Sequence, residues 1–171
     1  LLQTAEYARR VFAMFEPAYA ESDIPRVTAG RVNRQDALFD PSRRFDFLMT
    51  EAALRWRPGP SGVMLAQLDR IASLCTLENV TVGVIPQLAR APAHVPHGFV
   101  LMEPKAPEED AFVFVETVHA NLTVNDPRHI VLYRNHWSRL EKAAVYGSDV
   151  RDLLYRIAAD VRGLAEEDGP P

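Results

Sequence analysis

The sequence is poor in cysteine, since Cys75 is the single cysteine among 171 residues. A disulfide within the chain, or a CxxC metal or redox site, needs at least two cysteines and is therefore excluded. No apolar run approaches the roughly 20 residues that cross a bilayer, and the first residues lack the basic start of a secretory signal peptide. We therefore expect a cytoplasmic protein without membrane contact.

The chain also lacks an excess of basic charge. Its 19 lysines and arginines face 23 aspartates and glutamates, which gives a net charge of −4. A nucleic-acid-binding domain normally carries a basic surface, whereas Arg26, Arg31 and Arg34 are interleaved with Asp23 and Asp36. We interpret these arginines as an ordinary solvated helix face and expect no specific DNA binding by this segment alone.

The common catalytic signatures are missing too. The sequence contains no GxGxxG or Walker loop, no GxSxG elbow and no HExxH helix. These motifs bind nucleotides or supply the catalytic residues of hydrolases. This favours a function other than catalysis and predicts no cofactor.

What is present is the patterning of a folded α/β chain. With 47% hydrophobic residues, residues 1–164 are expected to form a single globular domain, and residues 165–171 a frayed tail. Apolar residues at helical spacing predict two helices at each end, the first capped by Thr4. Between them, alternating or continuous apolar runs predict strands such as 80–85 and a hairpin within 98–118. The order favours an α/β (α+β) fold with one mixed sheet of four to five strands and helices packed on it.

Boundary signals refine these helices. Pro25 stands near the start of the second helix, Ser61 and Ser148 are predicted N-caps, and Pro127 and Gly147 mark the start and end of a later helix.

The loop "ARAPAHVPHG" carries two histidines three residues apart, His94 and His97. Such a pair could bind a metal or an anion, but no third ligand is marked in the sequence, so no metal site is predicted. The prolines stiffen this loop, and we expect it to cover a recognition crevice with Arg90 reaching in.

Two carboxylates follow or end predicted strands. Glu51 follows "FDFLM" and Glu116 ends "AFVFV", so both are expected at neighbouring strand ends, where crevices form in α/β sheets. They could recognise a ligand or divide acid and base chemistry. The structural alternative is that Glu51 pairs with Arg55 at i+4. The predicted ligand-binding set is Glu51, Arg55, Arg90, His94, His97 and Glu116.

Several stretches, taken in order, resemble a known family: "LLQTAEYARRVF", "TEAALRW", "QLDRIASLCTLENVTVGVIP", "AHVPHGFVLME" and "FVFVE". They are similar to the domain of unknown function that follows an Xre-type helix-turn-helix in many actinobacterial regulators, often described as antitoxin-like transcriptional regulators. The similarity spans almost the whole chain.

The resemblance implies a regulatory sensor or interaction domain of a helix-turn-helix transcriptional regulator. It would bind a small molecule or a small partner protein encoded by an adjacent gene, and would reach DNA through a separate part preceding Leu1. Because Xre-type regulators usually read two half-sites, a homodimer is also implied. The alternative from the residues alone is a standalone enzyme acting on a small metabolite, with Glu51 and Glu116 as acid and base.

Overall fold

The structure is a computed structural model that describes residues 1–104, 106 and 109–167. The chain divides into two compact units: the first unit is Leu1–Gln87 with Val145–Pro171, and the second unit is Leu88–Ala144. The helices are α1 (Ala5–Phe12), α2 (Ile24–Asn33), α3 (Glu51–Arg55), α4 (Ser61–Leu74), α5 (Pro127–Glu141) and α6 (Ser148–Glu167). The strands are β1 (Phe45–Thr50), β2 (Val80–Ile85), β3 (Val100–Met102), β4 (Phe112–Glu116) and β5 (Asn121–Val124).

The predicted helix starts are partly confirmed. The Thr4 hydroxyl accepts the N–H of Tyr7 at 3.3 Å and caps α1, as its position before an apolar helical repeat predicts. Pro25 lies in the first turn of α2. Helix α2 tightens after Asn33 into a 3₁₀ helix, Arg34–Phe39, rather than continuing as one regular helix.

The extended segment before α1 is held by buried amides. The Gln67 side chain donates to the Leu2 carbonyl at 2.9 Å and accepts the Thr4 N–H at 2.8 Å, as a neighbouring strand would. Gln35 donates to the Gln3 carbonyl. Since buried backbone groups need partners, these glutamines fix the path of "LLQT" across the first unit.

The core of the first unit lies between a parallel strand pair and two helices. β1 and β2 pair in parallel from Phe45 opposite Val80 to Thr50 opposite Ile85. The crossover between them contains α3 and α4, which is the usual way to join parallel strands. Apolar residues of β2, α4 and α6 form one buried cluster, among them Leu68, Val82, Val84, Ile157 and Val161.

The second unit is an antiparallel sheet with one helix packed on it. β3 pairs with β4 and β4 pairs with β5, so the predicted hairpin is confirmed. Val113 and Val115 of β4 point to the side covered by α5, where they pack with Ile130. This covered side is named the inner face of the sheet.

The α+β class with five strands is confirmed, but the strands form two sheets instead of one mixed sheet. Val145 pairs with Val84 through two backbone hydrogen bonds of 2.8 and 3.1 Å. It thus occupies part of the edge of β2 that does not face β1. Short connections between β3, β4 and β5 favour antiparallel pairing among themselves.

Some boundaries differ from the sequence prediction. Ser61 is the first residue of α4, and Pro60, with an extended ψ of 161°, occupies the N-cap. α5 ends at Glu141, well before Gly147, and Gly147 takes a positive φ of 59° just before α6. Ser148 opens α6 as its first residue. The helix continues into the tail expected to fray, whose remainder, 168–171, lies outside the described residues.

Candidate functional site

Glu51 lies where the two parallel strands of the first unit end. The Thr50 hydroxyl accepts the Ala53 N–H at 3.3 Å and starts α3 directly after β1, which places Glu51 in the first helical turn. Gln87 comes two residues after β2, and its N–H donates to Glu51 Oε2 at 2.9 Å. The parallel register therefore brings this carboxylate and this N–H to the same sheet end.

The second oxygen of Glu51 is also occupied. Arg55 Nε donates to Glu51 Oε1 at 2.7 Å, and Arg55 Nη1 donates to Asp160 Oδ2 of α6 at 2.8 Å. The Gln87 N–H and the Arg55 guanidinium hold the pKa of the Glu51 carboxyl below its ordinary value, although burial opposes them. The i+4 pairing with Arg55 is confirmed, and Glu51 stabilises the junction of β1, β2 and α6.

Glu116 lies elsewhere. It is the exposed last residue of β4 in the second unit, opposite Asn121 of β5. The expectation that Glu51 and Glu116 end neighbouring strands is wrong, because β1 pairs with β2 while β4 pairs with β3 and β5. The sequence order of the strands had suggested one sheet, and the division into two sheets removes that relationship.

The loop residues of the predicted set belong to the second unit. Arg90 is exposed and lines a shallow, open depression together with Pro92 and Lys142. His94 is exposed, and the His97 ring lies 6.2 Å from the Tyr133 ring, centroid to centroid. Among residues 1–104, 106 and 109–167, no group of three His, Cys, Asp or Glu side chains is placed to hold a metal ion.

A surface that the sequence alone does not identify lies on the other side of the second unit's sheet. Here Phe112 and Phe114 alternate with the inward Val113 and Val115, and the register places Val100 opposite Phe114 and Met102 opposite Phe112. Val100, Met102 and Phe112 are 51%, 47% and 36% exposed. This outer face consists of Val100, Met102, Phe112, Phe114, Glu116, Asn121 and Thr123.

The signal for this surface was present in the sequence. "FVFVE" is apolar at every position before Glu116, a pattern typical of a strand covered on both faces. The pattern alone does not say whether the second cover comes from the same chain, so it predicts a strand without predicting a binding surface.

The structure is thus an α+β domain. In its first unit the Glu51 carboxylate is fully hydrogen-bonded by Gln87 and Arg55, and in its second unit one apolar face of the sheet is exposed. The chain belongs to the family of the domain of unknown function DUF5753, whose family model matches residues 1–156. This confirms the resemblance at the level of the domain itself. No curated protein and no solved structure matches the chain. Within the described residues, no helix is long and apolar enough to cross a membrane.

Proposed function

We propose that this chain is the regulatory interaction domain of a helix-turn-helix transcriptional regulator and that it binds a small partner protein. The observation that carries the proposal is the outer face of the β3–β4–β5 sheet, where three large apolar side chains are at least 36% exposed. Contiguous apolar surface of this kind is characteristic of protein contacts. The similarity of the "LLQT" and "NVTVGVIP" stretches to Xre-type regulators supports the regulatory context.

A protein partner is favoured over a small molecule. Sites for small molecules are usually concave and bury most of the ligand, whereas the depression beside Arg90 and Lys142 is shallow and open to solvent. A flat apolar sheet face suits a polypeptide better, because side chains of the partner can pack across it.

The enzyme alternative has less support. Both Glu51 oxygens already accept hydrogen bonds, from Gln87 and Arg55, and its lowered pKa makes it a weak base and a poor proton donor at neutral pH. Glu116, its proposed partner in acid and base chemistry, lies on a strand of a different sheet.

The test is to co-express the chain with the small protein encoded beside its gene and to measure complex formation by size-exclusion chromatography and calorimetry. We expect a stable complex of defined stoichiometry, and no sequence-selective binding of duplex DNA by this chain alone. The absence of any complex, or salt-sensitive, sequence-selective DNA binding by the chain, would contradict the proposed function.

A further inference from the structure

Strand β4 carries apolar residues on both of its faces, although α5 covers only the inner face. Val113 and Val115 are 0% and 2% exposed on the inner face, as expected for residues beneath α5. Phe112 and Phe114 are equally apolar but lie on the outer face, where Phe112 is 36% exposed. Exposed positions of an antiparallel strand normally alternate to polar residues. This strand therefore has the composition of one that is covered on both faces.

The neighbouring strand extends the apolar surface. Val100 and Met102 of β3 lie beside Phe114 and Phe112, and both are about half exposed. Isolated surface hydrophobic residues need no explanation, but adjacent ones on one sheet face point to a contact.

Negative charge lies at both ends of this apolar surface. At one end Glu116 continues the outward alternation of β4 and is exposed. At the other end Asp110 is exposed two residues before Phe112. No outer-face residue carries a positive charge.

A second copy of the chain does not fit this surface. The charged groups that two identical outer faces would bring to the contact are all carboxylates, and like charges facing each other are unfavourable. Three strands spaced about 4.8 Å apart, with five residues of about 3.3 Å each, give a face roughly 10 Å by 16 Å. A face of this size accommodates one extended polypeptide segment.

From this charge pattern we infer that the outer face binds a short polypeptide segment of the partner that presents apolar side chains between two basic ends. Lysines or arginines at each end would face Glu116 and Asp110, while the apolar side chains cover Met102, Phe112 and Phe114. The inference rests on the proposed function and specifies the partner's chemistry.

The experiment is a selection of displayed random peptides against the full chain, followed by fluorescence anisotropy with the enriched peptides. We expect enriched sequences with an apolar centre and lysine or arginine on both sides. Phe112→Thr should weaken their binding at least fivefold, as expected for a central contact residue. Glu116→Lys should weaken it about fivefold and the isosteric Glu116→Gln about twofold, with both differences shrinking at high salt.

The matched control is Leu132→Ser, which removes an apolar side chain that is 61% exposed on α5, the helix covering the inner face. This variant should bind the peptides like the parent chain. The inference is overturned if no peptide is enriched, if the enriched peptides are acidic or uncharged, or if binding survives the outer-face substitutions in folded variants. A partner complex that forms normally in the Phe112→Thr and Glu116→Lys variants would overturn the inference while leaving the proposed function standing.

Discussion

The backbone N–H of Gln87 donates to Glu51 Oε2 at 2.9 Å, so the end of β2 is tied to the first turn of the helix that follows β1. The same carboxylate binds Arg55, which reaches Asp160 of α6. One side chain thus connects three elements of the first unit. Its position at a strand end, which in the sequence suggested a ligand site, serves the assembly of this unit.

Glu51→Gln should destabilise the first unit. The amide keeps the shape but loses the charge on a side chain that is only 10% exposed, and it weakens the hydrogen bonds from Arg55 and Gln87. Hydrogen bonds to charged groups contribute about 1.5–3 kcal/mol each, so we expect a loss of about 1–3 kcal/mol. Urea unfolding of this variant beside Glu116→Gln, which changes an exposed carboxylate, measures the difference. Equal effects of the two substitutions would contradict the structural role of Glu51.

The stability of the parent chain should depend on Glu51 ionisation at acid pH. The lowered pKa in the folded state means that the unfolded chain takes up a proton first as the pH falls. The stabilisation is therefore fully present above the unfolded-state pKa of about 4.3 and is lost as the pH falls through the folded-state pKa. In thermal melts from pH 7 to pH 3, the difference in melting temperature between the parent and Glu51→Gln should shrink as the pH falls. A constant difference over this range would be inconsistent with the lowered pKa.

Thr28→Val should stabilise the first unit. The Thr28 hydroxyl is buried in α2 and has no hydrogen-bond partner among the described residues, and valine has nearly the same shape and helix propensity. Removing an unsatisfied buried polar atom should add roughly 1 kcal/mol to the free energy of unfolding.

The control for this substitution is Thr117→Val. The Thr117 hydroxyl donates to the Ala120 carbonyl at 2.9 Å and accepts its N–H at 3.1 Å, so valine should destabilise the β4–β5 turn. Thermal unfolding measures both variants against the parent chain. If both melting temperatures shift in the same direction, the presence or absence of a hydrogen bond at the hydroxyl does not determine whether the substitution stabilises the chain.

Gly83→Ala should be destabilising because of Tyr146. A Cβ at Gly83 in β2 would lie 2.5 Å from Tyr146 Cε1, so the tyrosine ring would have to move away. The expected loss is roughly 1 kcal/mol, and it should largely disappear when Gly83→Ala is combined with Tyr146→Ala. Gly62→Ala in α4 meets no atom within 4 Å and should be neutral or slightly stabilising. Additive effects of Gly83→Ala and Tyr146→Ala in denaturation experiments would contradict this contact.

The sequence predicted those features of the structure that neighbouring residues determine. The Thr4 cap, the nearly continuous β-branched run of β2 and the i+4 pair of Glu51 and Arg55 all follow from the neighbouring residues. The division into two sheets was not predicted, and neither was the bridge in which Val145 pairs with Val84 from a distant part of the chain. Hydrophobic periodicity does not predict such a long-range bridge. The predicted crevice between Glu51 and Glu116 required a single sheet and is therefore wrong as well.

The central claim is that this domain recognises a polypeptide through the outer face of the second unit. Its most direct test is methyl NMR of the chain titrated with the strongest selected peptide. The account predicts shift changes at the methyl groups of Val100 and Met102, with Leu54 of α3, next to Glu51, unaffected. Shift changes centred on Leu54, with Val100 and Met102 unchanged, would contradict it.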